Sequence, residues 1–473
     1  MSKYISLVLG PLAFFLILYL HPNLYLETEG WKVLALAAWM ITWWVTEAVP
    51  ISITAILPMI VFPLLGVFDI KDATSPYASS IIFLFMGGFM LALAMEQHNL
   101  HKRIALSIIK ITGVSGNGII LGFMIATASL SMWISNTATA VMMLPIALSV
   151  VGLLEKTYKA EYLNQFKLGL LLSIAYSANI GGIGTIIGTP PNVVLVGYME
   201  SFYDISIDFL DWMLVGIPVV IVLLMITYFL IVKVLFPIKE LEVSGANQLL
   251  ENEINKLGKW TNEQKMVAVV FALTAIGWVF KQQINQLIGE PLLNDTVTAM
   301  MGGVAMFSLP INKKGKMLME WEAMKRLPWG ILILFGGGIC LAKGMEKSGV
   351  VNLLAETVSG DGKMAMWVVI AILTAIMLFM TEIMSNVALT TIFIPVVIGI
   401  TNGLGISPFY LVVPVTMAAS CAFMMPISTP PNAVVFSSGF IRVRDMMKAG
   451  FILNVISVIV LVIAALTFVK WIW

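Results

Sequence analysis

Apolar residues run through this chain in long stretches, at 4–21, 212–236, 265–280 and 450–472. Each is close to the roughly 20 residues that a membrane-spanning helix needs. The apolar–polar alternation of a barrel strand is missing, so these stretches predict spanning helices. The first begins after Lys3 and is followed by no small-x-small cleavage site, which reads as a first spanning helix and not a secretory signal. Polar residues interrupt the apolar pattern at a few places only. One interruption is Ser135-Asn136-Thr137-Ala138-Thr139-Ala140, and another is the Pro-Pro pair at 190–191.

The interruptions recur. Phe85-Met86-Gly87-Gly88 with Met95-Glu96 is echoed by Phe335-Gly336-Gly337-Gly338 with Met345-Glu346, an offset of 345 − 95 = 250. Ser135-Asn136-Thr137 returns as Ser385-Asn386-Val387, again 385 − 135 = 250, and Gly188-Thr189-Pro190-Pro191-Asn192 returns as Ser428-Thr429-Pro430-Pro431-Asn432, at 428 − 188 = 240. The chain therefore reads as two related halves, separated by its most polar stretch at about 237–265. Repeats with polar or proline breaks at matching places are the mark of secondary transporters, whose ligands bind between the breaks.

A Pro-Pro pair ends a helix, because it lacks backbone donors and drives the preceding residue out of the helical region. Backbone freed inside a membrane is tolerated only against protein or a water-filled cavity. Thr189 and Thr429 before the prolines, and Asn192 and Asn432 after them, supply polar groups at each break. The apolar arms Ile119–Trp133 and Val141–Leu154 are too short to cross twice, which predicts a re-entrant hairpin with Ser135-Asn136-Thr137 at its tip. A second hairpin is expected around Ser385-Asn386-Val387.

Composition supports the membrane reading: 59% of the 473 residues are hydrophobic and 11% charged, with mean hydropathy +0.97. A net charge of +1 gives no basis for a nucleic-acid partner. Cys340 and Cys421 lie in apolar sequence and read as buried thiols. His21, His98 and His101 have no metal-site spacing. Four converging half-helix starts of about +0.5 charge each match a dianion. The arginines, Arg103, Arg326, Arg442 and Arg444, lie near polar ends away from the motifs, so a carboxylate is expected to be held by amides, hydroxyls and helix ends. Of the charges in apolar surroundings, Glu47 and Lys110 read as paired or interfacial. Lys343 stays open, and Glu382, three residues before Ser385, is the best functional candidate.

The stretches SMWISNTATAVMMLP, GGIGTIIGTPPN, TEIMSN and CAFMMPISTPPNAVVFSSG resemble the divalent anion/sodium symporter family over nearly the whole chain. That resemblance implies an all-α polytopic plasma-membrane protein of two inverted repeats, with eleven spanning helices, two re-entrant hairpins and a homodimeric state. It implies a scaffold (1–115 and 264–360), a mobile elevator-type transport domain (116–236 and 361–473) and a polar linker (237–263). It also places one substrate carboxylate at Ser135, Asn136, Thr137 and Thr189, and the other at Ser385, Asn386, Thr429 and Pro430. One Na+ would lie among Ser131, Ser135, Asn136 and Gly188, and a second among Thr381, Met384, Asn386 and Ser428. The first hairpin would open to the cytoplasm and the second outward. Val387 departs from the family's usual Thr.

The expected function is secondary transport of C4–C5 dicarboxylates such as succinate, malate, fumarate or 2-oxoglutarate, by Na+ symport or by exchange. No cofactor is expected beyond Na+ as a co-substrate. A passive anion channel is the first rival. An intramembrane enzyme is the weaker one, since HExxH and GxSxG are absent and Glu382 has no neighbouring His in sequence.

Overall fold

A computed structural model describes residues 3–20, 26–113, 115–155, 160–237, 246–311, 315–358 and 364–473. His21, linker positions 238–245, Lys313 and Lys314, and the expected domain boundary at 360 lie outside the described residues. Within them the chain is helical, with a single isolated bridge between Pro310 and Met317. Six helices are long and apolar enough to cross a membrane, seven if the bent pair Asn262–Val279 and Lys281–Ile288 is one span. The protein is a multi-pass membrane protein.

The first half contains α1 (Lys3–Leu20), α2 (Thr28–Thr46), α3 (Ser80–Gln97), α4 (Leu100–Ile111), α5 (Gly116–Ser131), α6 (Asn136–Glu155), α7 (Ala160–Gly182), α8 (Pro190–Tyr203) and α9 (Phe209–Phe229). The second contains α10 (Asn262–Val279), α11 (Asp295–Ser308), α12 (Trp329–Lys347), α13 (Met366–Met380), α14 (Asn386–Leu404), α15 (Phe409–Ala419), α16 (Pro430–Phe436) and α17 (Val443–Ala464). The described part of the linker includes an amphipathic helix, Ala246–Lys256, which docks on α4 through Lys102–Glu253 and Lys110–Glu251. Lys110 is thus a paired surface charge, as the sequence implied.

The breaks fall where the sequence puts them. Ser135 caps α6 by accepting from Ala138 N at 3.2 Å, and Ser385 caps α14 by accepting from Ala388 N. Because the cap sits at Ser135, the polar residues that follow form the first helical turn. Helix α6 is then 20 residues long, enough by length and composition to span, and so is α14 with 19. That corrects the length argument: the second arm of each expected hairpin is longer than its apolar core. The Pro-Pro pairs open α8 and α16 at their first turn, where a missing N–H costs nothing.

The halves are exchanged around these breaks. Helix α8 packs on α14 and α15 of the second half, and α16 packs on α6 and α7 of the first. The Gly-rich motifs are close-packing positions. A side chain on Gly87 would meet the Ala299 backbone of α11 at 2.5 Å, and one on Gly337 would run into the Ala55 carbonyl. Phe85 and its counterpart Phe335 touch edge to face, with ring centroids 5.4 Å apart.

Candidate functional site

One cavity of about 950 Å³ is lined by all four recurring motifs. Ser135, Asn136, Thr137, Gly188, Thr189 and Pro190 come from the first half, and Met384, Ser385, Asn386, Ser428, Thr429 and Pro430 from the second. Every expected carboxylate-contact residue therefore faces one space. Of the expected cation ligands, Ser131 and Thr381 stand behind its wall and are fully buried. Their counterpart spacing is again 381 − 131 = 250, and both anchor to a carbonyl in the last turns of the next helix but one, α7 for Ser131 and α15 for Thr381. Ser131 Oγ donates to Ala178 O at 2.7 Å, and Thr381 Oγ1 donates to Ala419 O at 3.2 Å.

A hydroxyl carries one proton, so with Ser131 committed to Ala178 its oxygen accepts from Asn136. The Asn136 amide is accordingly oriented with Nδ2 toward Ser131 Oγ at 2.7 Å and toward the Gly188 and Ala178 carbonyls at 3.3 Å. Gly182 makes room for this, since a Cβ there would meet the Asn136 amide at 2.8 Å. Three of the four groups expected at the first cation position, Ser131, Asn136 and the Gly188 carbonyl, are thus within one hydrogen-bonded cluster.

The loops of both breaks are held by one device. Asn192 Nδ2 donates to the carbonyls of Gly182 (3.1 Å) and Thr185 (2.8 Å), ten and seven residues back. Asn432 Nδ2 donates to the carbonyls of Ala422 (3.0 Å) and Met425 (3.1 Å), at the same two spacings. Each asparagine thereby pairs carbonyls that the broken helix frees. The two motif asparagines that follow Pro-Pro hold backbone, and Asn432 Nδ2 also donates to Ser428 Oγ at 3.0 Å.

The whole of residues 2–473 matches the sodium:sulfate symporter transmembrane region family. The chain is 40% identical over 469 residues to the sodium-dependent dicarboxylate transporter SdcS of Staphylococcus saprophyticus, covering 98% of this chain and 90% of that protein. It is 39% identical over 470 residues to the SdcS of Staphylococcus aureus strain USA300, with the same coverage. The chain belongs to the divalent anion/sodium symporters. Its fold also resembles the solved YdaH transporter of Alcanivorax borkumensis, with TM-score 0.53, 14% identity and 87% of each chain covered. The Neisseria gonorrhoeae MtrF structure is similar at TM-score 0.50 and 12% identity, covering 99% of this chain and 94% of that one.

In this symporter the remaining charged candidates separate cleanly. Glu382 is buried and absent from the cavity wall. Its carboxylate accepts from the backbone N–H groups of Phe423 (2.8 Å), Met424 (2.9 Å) and Met425 (3.0 Å) and from Asn454 Nδ2 (2.7 Å). Lys343 is exposed on α12 beside Glu346, also away from the cavity. Glu47, which the sequence reading set aside as interfacial, does line the cavity, and Glu96 and Arg326 join it there. Arg326 corrects the expectation that no arginine reaches the motifs. It is remote from them in sequence but lies at the end of a short turn, Trp321–Arg326, which the fold brings to the same space.

Asn179 was missed altogether. It lines the cavity from α7, and its Nδ2 reaches across the halves to Thr429 Oγ1 at 2.9 Å and to Ala422 O and Asn432 Oδ1 at 3.3 Å. Its signal in the sequence is a lone Asn in an uncharged apolar run. It has no echo in the second half, where 179 + 240 = 419 is Ala. Among the described residues no group of His, Cys, Asp and Glu could hold a metal, and both cysteines are buried and free.

Proposed function

We infer that this chain is a secondary active transporter that carries C4–C5 dicarboxylates together with Na+. The observation that carries this reading is the convergence of four uncharged, helix-starting motifs on one cavity. Helices α6, α8 and α14, together with the seven-residue α16, begin at the wall, and each start adds a partial positive charge of about +0.5 at most. A dianion is thereby drawn in by dipoles and held by neutral donors. Ser135 and Ser385 accept from their own helices, so each keeps its hydroxyl proton to donate to a carboxylate oxygen.

In this reading Ser135, Asn136, Thr137 and Thr189 bind one carboxylate, and Ser385, Asn386, Thr429 and Pro430 the other. Thr189 Oγ1 is buried with no protein partner, which fits a group kept for a ligand. One Na+ binds among Ser131, Ser135, Asn136 and Gly188 and a second among Thr381, Met384, Asn386 and Ser428, as cargo. The relatives named as sodium-dependent dicarboxylate transporters support both parts of the reading.

The finer architecture we propose has eleven spans, two re-entrant hairpins (α5–α6 and α13–α14) and inverted repeats, with an elevator-type transport domain moving against a scaffold in a homodimer. The reciprocal packing of α8 and α16, and the contact of Phe85 with its own counterpart Phe335, support two-fold-related halves. The test is uptake of labelled succinate into liposomes containing the purified protein, with Na+ or choline outside and dicarboxylate present or absent inside. Saturable uptake that needs external Na+ and no internal dicarboxylate is expected. Uptake that ignores Na+ but needs internal dicarboxylate would make the protein an exchanger, and flux that never saturates would make it a channel. Asn136→Ala and Asn386→Ala are each expected to abolish saturable uptake with the protein still in the membrane, and unchanged uptake in both would sink the site assignment.

A further inference from the structure

The motif-bearing segments are almost free of charge. Positions 111–154 and 168–199 contain no Asp, Glu, Lys, Arg or His, and 364–441 contain one, Glu382. That charge is fixed in place by four donors, all of them N–H groups, which is the environment of an ionised, acceptor-only carboxylate. Three are consecutive backbone amides of the second break, so Glu382 staples the end of α13 to the loop that leads to Ser428. The connection continues inward: Met425, whose N–H the carboxylate holds, offers its carbonyl to Ser428 Oγ at 2.7 Å and to Asn432 Nδ2 at 3.1 Å.

The first half has the same staple without the charge. The counterpart of Glu382 is Met132, since 382 − 250 = 132, and its carbonyl accepts from Thr185 Oγ1 at 2.5 Å. Thr185 is the counterpart of Met425, since 185 + 240 = 425. Both halves thus tie hairpin to broken helix at equivalent positions, one through a neutral hydroxyl and the other through a full negative charge.

We propose that Glu382 is a positioning residue whose buried charge makes the second-half cation position, framed by Thr381, Met384, Asn386 and Ser428, the one that fills at the lower Na+ concentration. This rests on the Na+-coupled reading above. Amide dipoles around the carboxylate orient it but do not cancel its unit charge. Glu382 lies beside Thr381 in the chain and, through Met425, is linked to Ser428. At an effective dielectric of about 20, a unit charge still changes a cation's affinity about tenfold from about 12 Å away.

The experiment is a Na+ titration of the purified protein's melting temperature, with choline keeping ionic strength constant and no dicarboxylate present. Glu382→Gln removes the charge and is expected to raise about tenfold or more the Na+ concentration needed for the same small rise in melting temperature. Asn454→Leu removes one donor and keeps the charge, and Glu382→Asp keeps the charge on a shorter stem. Both are expected to stay within about threefold of the parent whatever their loss of baseline stability. A Glu382→Gln protein with the parent's Na+ dependence overturns the proposal, as does an equal shift in Asn454→Leu, which would make the role merely structural. If Glu382→Gln does not fold, the two charge-keeping variants decide, and a shift beyond threefold in either overturns it. A parent protein that Na+ does not stabilise would instead overturn the coupling reading on which the proposal stands.

Discussion

Removing the asparagine after each Pro-Pro pair should destabilise the protein unequally, because the two residues share one pair of bonds and Asn432 makes two more. In Asn192→Ala the Gly182 carbonyl loses the donor that reaches it, inside a site where Asn192 is fully buried. Leaving a buried acceptor unpaired costs about 1–3 kcal/mol. The Thr185 carbonyl keeps the Gly188 N–H at 3.3 Å, so there only a net hydrogen bond is lost, about 0.5–1.5 kcal/mol. The sum is about 1.5–4.5 kcal/mol. In Asn432→Ala both carbonyls keep partners: Ala422 O retains Asn179 Nδ2, and Met425 O retains Ser428 Oγ and Ser428 N. Two net bonds to those carbonyls then cost about 1–3 kcal/mol, and the bonds of Asn432 Nδ2 to Ser428 Oγ (3.0 Å) and of Asn179 Nδ2 to Asn432 Oδ1 (3.3 Å) add about as much again, for a sum of about 2–6 kcal/mol. Thermal melts of the purified variants, with exposed Ser149→Ala as the control for a side-chain bond worth under about 0.5 kcal/mol, should therefore rank Asn432→Ala below Asn192→Ala and both below the control. An Asn432→Ala protein that melts above Asn192→Ala would refute the reasoning, because it would mean that the two further bonds of Asn432 count for less than the one unpaired Gly182 carbonyl.

Two further outcomes follow from the cavity wall. Val387 lines it with its backbone N–H already bonded to Asn386 Oδ1 at 2.8 Å, so Val387→Thr adds a hydroxyl at little steric cost. One bond to a carboxylate is worth about 1.5–3 kcal/mol, so the succinate half-saturation should fall about tenfold or more, and an unchanged value would mean that position 387 does not reach the ligand. Arg326 is the one cationic side chain among the residues lining the cavity. Arg326→Gln should raise the succinate half-saturation several-fold at low ionic strength and flatten its salt dependence, and uptake curves that superimpose on the parent's would exclude a role for this charge in drawing in the anion.

Much of this was legible before any coordinates. Pro-Pro pairs and Ser-Asn motifs in apolar sequence have few physical outcomes in a membrane, and their recurrence at offsets of 250 and 240 fixed which breaks belong together. What distance along the chain conceals is who shares a wall. Arg326, Glu47 and Glu96 carry no local mark of facing the motifs, and only the packing of α2, α3 and the 321–326 turn brings them there. Arm length misled for a local reason. Capping by Ser135 draws five residues into α6 that apolarity alone leaves out. Glu382 stands out in the sequence as an intramembrane charge, but its partners come from α17 and the loop after α15, some 40 to 70 positions away, and only they show that the functional candidate is a backbone anchor behind the cavity wall.

The fixed charge of Glu382 gives the proposed coupling an order. Counting the motif-bearing segments alone, without Glu47, Glu96 and Arg326 across the cavity, the empty site carries −1, and a site holding two Na+ and a dicarboxylate dianion carries −1 again, since −1 + 2 − 2 = −1. Those two states differ little in what it costs to move them through a low-dielectric barrier. Two Na+ alone leave +1, whereas a dianion alone brings the total to −3, of which four helix starts of about +0.5 each offset about 2. In the proposed reading a cation therefore precedes the anion, and it is drawn to the half that already holds a negative charge. A symmetric pair of neutral staples would have left both cation positions equal and the sequence of filling unspecified. The substitution of a carboxylate for a carbonyl at one of two equivalent positions is what breaks the tie.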